Sequence, residues 1–136
     1  MSRVFVDTNI LVYTLDADTP LKRDRAREVL RDRARNDELF ISTQVLQEFF
    51  VAATRKLRIE PLVAKESLAS LERLNVVVVT KPLIDEAIDL SILHQLSFWD
   101  SLIVAAATDA RCEILLTEDL SHGQSIRGLK VVNPLL

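Results

Sequence analysis

The sequence predicts a three-layer α/β domain in which a central parallel sheet of about five strands is flanked by helices. Two observations favour this fold class. The short apolar runs are continuous rather than alternating, which is typical of strands that are covered on both faces. Segments with apolar residues at helical spacing separate these runs, and strands that alternate with helices indicate a parallel sheet. A length of 136 residues fits one domain, spanning residues 1–136.

Five apolar runs are the predicted strands. They cover residues 4–6, 39–41, 76–79, 114–116 and 129–132, and the last of them follows Gly128. No internal repeat and no linker rich in serine, glycine or proline divides the chain. The strands therefore belong to one sheet.

Five longer segments are the predicted helices. They cover residues 20–35, 44–56, 61–74, 83–95 and 99–111. Thr19 followed by Pro20 is a typical helix start, because threonine caps the first turn and proline fits the first helical position. In the second helix, Val45 and Phe49 share one apolar face. The last helix is apolar over residues 102–107, which predicts that it is buried.

Four acidic residues fall at the junctions between these elements. Asp7 follows the first strand, and Glu48 lies in the second turn of the helix after the second strand. Asp100 begins the last helix, and Asp119 follows the fourth strand. Open α/β sheets bind their ligands at the carboxyl ends of the strands, so these positions are the candidates for function.

Each acid taken alone has a structural explanation. Asp7 could cap a helix that begins at Asn9, and a lone glutamate such as Glu48 is usually solvated. Asp119 could lie in a polar turn, and Asp100 fits a capping box with Ser97. Of the four acids, Asp100 is the strongest candidate for a functional role, because a carboxylate at the start of a buried helix faces packed side chains or a cleft.

Taken together, the four acids predict a cation site. Two unit charges about 4 Å apart repel each other by about 4 kcal/mol at an effective dielectric constant of about 20. Such a group either takes up protons or binds a cation. Oxygen ligands without histidine or cysteine favour Mg²⁺ or Mn²⁺. These ions prefer phosphate oxygens and activate water, so phosphodiester cleavage is the expected chemistry.

The sequence resembles the PIN domains, and among them the ribonuclease toxins of the VapC type. Each matching segment is short, but the four occur in order over residues 4–120. The matching segments are VFVDTNIL at 4–11, STQVLQEF at 42–49, FWDSLI at 98–103 and LLTEDL at 115–120.

The resemblance implies a set of site residues, a cofactor and partners. Asp7, Glu48, Asp100 and Asp119 would be the catalytic acids and would bind Mg²⁺ or Mn²⁺. Asn9 and Thr117 would orient those carboxylates. The resemblance also implies cleavage of RNA, inhibition by a cognate antitoxin protein and a homodimer. It leaves open whether one or two ions bind, and whether Glu118 acts with or instead of Asp119.

The composition of the chain excludes several other classes of protein. Seventeen basic and 20 acidic residues give a net charge of −3, which excludes a strongly basic nucleic-acid coat protein. Cys112 is the single cysteine and cannot form an internal disulfide. The longest stretch without charge, residues 90–99, is too short to cross a membrane, and no signal peptide is apparent. A cytoplasmic protein is expected.

Several other residues are interpreted as structural. The basic run over residues 22–35 is a solvated helix face, and neither histidine has a partner at metal-ligand spacing. Phe98 and Trp99 are expected in the core or a dimer contact, and Cys112 is expected to be an inert buried residue. Arg55, Lys56 and Arg58 are weaker candidates for phosphate contacts.

Three other functions are compared. An aspartyl phosphohydrolase usually has a second aspartate two residues after the first, and Asn9 stands there. A receiver domain needs a pair of adjacent acids near its first strand, which the segment around Asp7 lacks. The third is a catalytically silent PIN-fold regulatory or RNA-binding module, against which the intact acidic set argues.

Overall fold

The predicted alternation of strands and helices is present in the computed structural model, which describes residues 1–136. After the sixth helix the chain forms only short strands. The elements are β1 Arg3–Val6, α1 Thr8–Tyr13, α2 Pro20–Asn36, β2 Glu38–Ser42, α3 Thr43–Val51, α4 Pro61–Leu71, β3 Asn75–Val77, α5 Lys81–His94, α6 Phe98–Asp109, β4 Ile114–Leu116, β5 Ser125–Ile126 and β6 Leu129–Val132.

The sheet has six strands in the order β3-β2-β1-β4-β6-β5. All neighbouring strands are parallel except β5, which pairs antiparallel with β6. The two central strands β1 and β4 pair in a register that sets Val6 beside Leu116. The residues that follow these strands therefore meet at the same edge of the sheet, and this register positions the candidate site.

The central strands are buried on both faces, as their continuous apolar sequences predict. Phe5 and Val6 of β1 and Leu115 and Leu116 of β4 have no exposed surface. Helix α6 is the most buried helix, with every residue from 101 to 107 buried. Burial of this apolar surface stabilises the fold and holds both ends of the site, the strand ends and the start of α6, on rigid elements.

A sixth strand was not expected. Strand β5 has two residues and contributes one buried apolar side chain, Ile126, which is too short a pattern for a sequence-based prediction. The turn to β6 has positive φ angles at Arg127 (50°) and Gly128 (82°), as a tight hairpin turn requires. An arginine at the first of these positions is a weak turn signal, since asparagine, aspartate or glycine is preferred there.

Several helix bounds also differ from the prediction. Helix α4 ends at Leu71 rather than residue 74, and α1 begins at Thr8 rather than Asn9. The predicted helix 44–56 is α-helical only to Val51 and continues as a wider π-helical turn, Ala52–Lys56. Thr19 precedes α2 as predicted but makes no side-chain capping bond.

Helices α5 and α6 are joined by a short turn in which Gln95 has a φ of 54°. Ser97 caps α6 as predicted, because its hydroxyl accepts the backbone N–H of Asp100 at 3.1 Å. No single helix is long and apolar enough to cross a membrane. Helices α5 and α6 reach that length and composition only as a pair, and this pair is bent by 117°.

Candidate metal centre

Three of the four predicted acids come together. Asp7, Asp100 and Asp119 each offer a carboxylate oxygen, and these oxygens lie within 4.8 Å of one another. Asp7 is buried, Asp100 is half-buried and Asp119 is exposed, so the group extends from the sheet edge to solvent. The carboxylates form part of the wall of a cavity of about 310 Å³.

Strand pairing places Asp7 next to the segment that carries Asp119. The Asp7 N–H donates to the Leu116 carbonyl at 2.9 Å, which continues the ladder between β1 and β4. The hydroxyl of Thr117, which is fully buried, donates to Asp7 Oδ2 at 2.8 Å. The same hydroxyl accepts the Asp119 N–H at 3.1 Å. Thr117 thus connects two of the acids.

Asn9 makes a second connection between the same two strand ends. Its Nδ2 lies 2.9 Å from Asp119 Oδ2, 3.2 Å from Thr117 Oγ1 and 3.4 Å from Asp7 Oδ2. Its Oδ1 accepts the Glu118 N–H at 3.3 Å. These contacts are those expected of groups that orient carboxylates.

Glu48 lies on the wall of the same cavity but outside the group of three. Its Oε1 accepts the hydroxyl of Thr8 at 2.9 Å, and Thr8 also donates its N–H to Asp7 Oδ1 at 2.7 Å. Thr8 therefore connects Glu48 to Asp7. Thr8 was not predicted from the sequence, in which its position next to Asp7 is the only signal.

The electrostatics of the group disfavour three negative charges without a cation. The pKa of Asp7 is raised to about 7, mainly by burial. Hydrogen bonds from Thr117 and Thr8 lower it, and the nearby charges of Asp119 and Glu48 raise it. Burial, followed by the charge of Asp119, also raises the pKa of Asp100. Because all donors are oxygens, the group fits a hard divalent ion better than zinc.

Glu118 also lies on the cavity wall, but its carboxylate is bound by two other side chains. The Tyr13 hydroxyl donates to Glu118 Oε1, and Lys22 Nζ lies 3.3 Å from Glu118 Oε2. Lys22 also lies 4.9 Å from the centre of the Tyr13 ring. Between the two acids that the sequence left open, the structure thus brings Asp119 into the group and pairs Glu118 with Lys22. Neither Tyr13 nor Lys22 carried a sequence signal.

One face of α3 and its π-helical turn lines the cavity. The wall includes four residues of this face that are spaced four positions apart along the chain: Gln44, Glu48, Ala52 and Lys56. The wider turn rotates the chain less per residue than an α-helix does, which keeps Lys56 on the cavity side. Arg55 and Arg58 are exposed and do not line this cavity.

Trp99 was predicted to lie in the core or in a dimer contact. The first alternative is wrong, because the residue is 61% exposed and contributes to the cavity wall, and the buried part of α6 begins two residues later at Ser101. The dimer contact stays a prediction. Phe98 does pack against the core. Cys112 is buried as predicted, and burial raises the pKa of its thiol to about 12. Both histidines are exposed.

Replacing Thr117 with valine tests the connection between the acids. We expect a destabilisation of roughly 1–3 kcal/mol, because the carboxylate of Asp7 and the N–H of Asp119 lose a buried partner. We expect the affinity of the acidic group for Mg²⁺ to fall by roughly 10- to 100-fold. The free energy of unfolding in urea and a calorimetric titration with Mg²⁺ measure the two effects.

Two matched variants control this experiment. Thr117→Ser keeps the hydroxyl and is expected to retain most of the affinity for Mg²⁺. Thr108→Val removes a hydroxyl that bonds the Val104 carbonyl at 3.0 Å, away from the acids, and is expected to leave that affinity unchanged. Equal affinity of Thr117→Val and the wild type for Mg²⁺ would contradict the orienting role.

Comparisons with known proteins identify the fold. The PIN domain family model matches residues 4–123. No curated protein matches the sequence. A toxin–antitoxin complex from Klebsiella pneumoniae has a similar structure, with a TM-score of 0.72 and 24% identity over 96% of this chain and 97% of that chain.

Two other solved structures are similar. VapC20 of Mycobacterium tuberculosis, a toxin that cleaves the sarcin–ricin loop, has a TM-score of 0.69 and 19% identity over 85% of this chain and 89% of its own. VapBC2 from Rickettsia felis, bound to a DNA fragment from its promoter, has a TM-score of 0.70 and 21% identity over 95% of this chain and 96% of that chain. At these identities the likeness shows the fold alone.

Proposed function

The chain belongs to the PIN domain family, and from this premise we propose that it is a metal-dependent endoribonuclease, the toxin of a toxin–antitoxin pair. One observation carries the proposal. Three carboxylates from separate elements lie with oxygens within 4.8 Å of one another, at the edge of the sheet where α/β folds bind ligands. The same observation favours a nuclease over a catalytically silent module, since unshielded acids cost stability.

Each residue of the site has a proposed role in metal binding or catalysis. Asp7, Asp100 and Asp119 would hold Mg²⁺ or Mn²⁺. Glu48, on the cavity wall beside them, would be the fourth acid and would accept a proton from water or ligate an ion. Asn9 and Thr117 would keep the carboxylates in place through the hydrogen bonds described above. The chemistry supplied by a bound ion is Lewis-acid activation of water and neutralisation of charge on the phosphate.

Partners and location follow from the same proposal. The Klebsiella and Rickettsia structures are toxin–antitoxin complexes, and we infer a cognate antitoxin for this chain. We also infer a homodimer and a location in the cytoplasm, where the RNA substrate is found. Size-exclusion chromatography with light scattering, on the chain alone, measures the oligomeric state.

The experiment that tests the nuclease is cleavage of a defined RNA with Mg²⁺, with Mn²⁺ and with EDTA. We expect cleavage with either ion and none with EDTA. Ca²⁺ at the same concentration controls for ionic strength. Cleavage that persists in EDTA would contradict a metal mechanism, and no cleavage of any RNA with either ion would favour the silent module.

Metal binding is also expected to raise the melting temperature. Mg²⁺ binds the folded chain and relieves repulsion among the acids, so it stabilises the fold by mass action, by about 2.7 kcal/mol at a concentration of 100 times the dissociation constant. Differential scanning calorimetry with increasing Mg²⁺ measures the shift. A smaller shift is expected in Asp100→Asn, and equal shifts in both proteins would argue against this site.

A further inference from the structure

We propose that the indole of Trp99 is a stacking platform for an unpaired base of the RNA, next to the phosphate that is cleaved. This inference rests on the proposed nuclease function and adds a substrate-positioning residue to it. Trp99 is 61% exposed, although burial of so large an apolar side chain would be favourable. It directly precedes Asp100, one of the three clustered acids.

Contacts at Trp99 restrict both its ring and its backbone. The Phe98 ring packs edge-on against the indole, with centroids 5.1 Å apart and an angle of 78° between the planes. The backbone carbonyl of Trp99 accepts an N–H of Nε2 of the buried residue Gln44 at 3.1 Å. A ring whose motion is restricted before binding loses less conformational entropy when a second planar ring stacks on it.

Space for a base lies beside the ring. A second cavity of about 430 Å³ is lined by Trp99, Gln47 and Val51. It shares Gln44, Glu48, Ala52 and Trp99 with the cavity that holds the acids. A base that occupies this space therefore lies next to the cavity that holds the acids.

One basic side chain of the cavity wall is free to contact a phosphate. Lys56 is the only basic residue in the wall of the acidic cavity, and it makes no ion pair with any acid of the chain. An unpaired ammonium group and an exposed aromatic ring in the wall of one cavity fit the phosphate and the base of a nucleotide. Stacking of this kind tolerates any base, because every base has a π-face.

Steady-state cleavage by Trp99→Ala, Trp99→Phe and Ile92→Ala tests the proposal. Loss of one stacked base raises KM roughly 10- to 100-fold with kcat nearly unchanged, because stacking is present before and during the chemical step. Trp99→Phe retains a π-face and is expected to restore most of the affinity. Ile92 is 71% exposed on α5 and controls for the loss of exposed apolar surface.

Fluorescence reports the contact directly, because Trp99 is the only tryptophan in the chain. A short oligouridylate, added in EDTA so that no cleavage occurs, is expected to quench the emission. An abasic ribose-phosphate oligomer of equal length and charge is expected to quench it far less.

Three results would overturn the proposal. They are an unchanged KM in Trp99→Ala, equal quenching by the abasic oligomer, and a change of oligomeric state in Trp99→Ala, which would assign the indole to contact with a second copy of the chain. A failure of the stacking role can be distinguished from a failure of the proposed nuclease function. If the wild type cleaves RNA and Trp99→Ala has an unchanged KM, only the stacking role is wrong, whereas no cleavage by the wild type contradicts the function itself.

Discussion

Replacing Asp100 with asparagine is expected to lower Mg²⁺-dependent RNA cleavage by roughly 100- to 1,000-fold while the fold is kept. The change removes one charge from a group whose three oxygens lie within 4.8 Å of one another. A metal ion stabilises the transition state by several kcal/mol, and each 1.36 kcal/mol of stabilisation changes the rate by about a factor of ten. Initial rates at saturating Mg²⁺ measure the effect.

The start of α6 should tolerate this substitution. Asp100 is half-buried, and its backbone N–H, which the substitution keeps, makes the capping bond to Ser97. Because burial raises the pKa of the carboxyl, a neutral amide also fits the site without a metal. The thermal midpoint in EDTA should therefore not fall, which separates loss of chemistry from loss of folding.

Asp109→Asn is the matched control. It makes the same substitution at the other end of the same helix, at an exposed residue that is not among those lining the acidic cavity. We expect wild-type rates from this variant. Cleavage by Asp100→Asn at the wild-type rate, in protein purified free of contaminating nuclease, would falsify the assignment of Asp100 to the site.

The sequence predicts most of the fold because its strongest signals are local. The continuous apolar run of β4 predicts a buried strand, and the apolar residues on all sides of α6 predict a buried helix. Strand β5 could not be predicted, since two residues carry no period and its pairing with β6 depends on the positive φ angle of Arg127. The π-helical turn likewise has no distinguishing composition.

The candidate site was predictable to the extent that topology brings strand ends together. Asp7 and Asp119 follow adjacent parallel strands, so their proximity follows from the sheet. Contacts between side chains do not follow from it. The bond from Thr8 to Glu48 and the pairing of Glu118 with Lys22 depend on rotamers and on distances between elements. The exposure of Trp99 in the single chain could not be predicted, because residue type predicts average burial, while helix rotation decides each case.

Asp7→Asn is expected to make the metal-free protein more stable than the wild type at about pH 8. In the folded chain the pKa of Asp7 is about 7, against an ordinary value of 3.8. The unfolded chain therefore releases this proton first as the pH rises. The contribution of Asp7 to folding is fully present below the ordinary pKa and is lost as the pH rises toward 7, by roughly 4 kcal/mol in total.

Urea unfolding in EDTA at several values between about pH 4 and pH 8 measures this slope. The free energy of unfolding of the wild type should fall over the range, and that of Asp7→Asn should fall less. Some slope should remain, because the pKa of Asp100 is also raised. Asp109→Asn should keep the wild-type slope. Identical slopes for Asp7→Asn and the wild type would show that the Asp7 carboxyl ionises as easily in the folded chain as in the unfolded one.

The same substitution should have the opposite effect when metal is present. Mg²⁺ stabilises only the form in which the carboxylates are charged, so saturating Mg²⁺ should raise the stability of the wild type at about pH 8 and have little effect on Asp7→Asn. The difference in the free energy of unfolding between the two proteins should then become smaller, or change sign, when EDTA is replaced by Mg²⁺. Such a reversal requires an ionised, buried Asp7 that binds the cation, because a carboxylate with only a structural role would give the same order in both conditions.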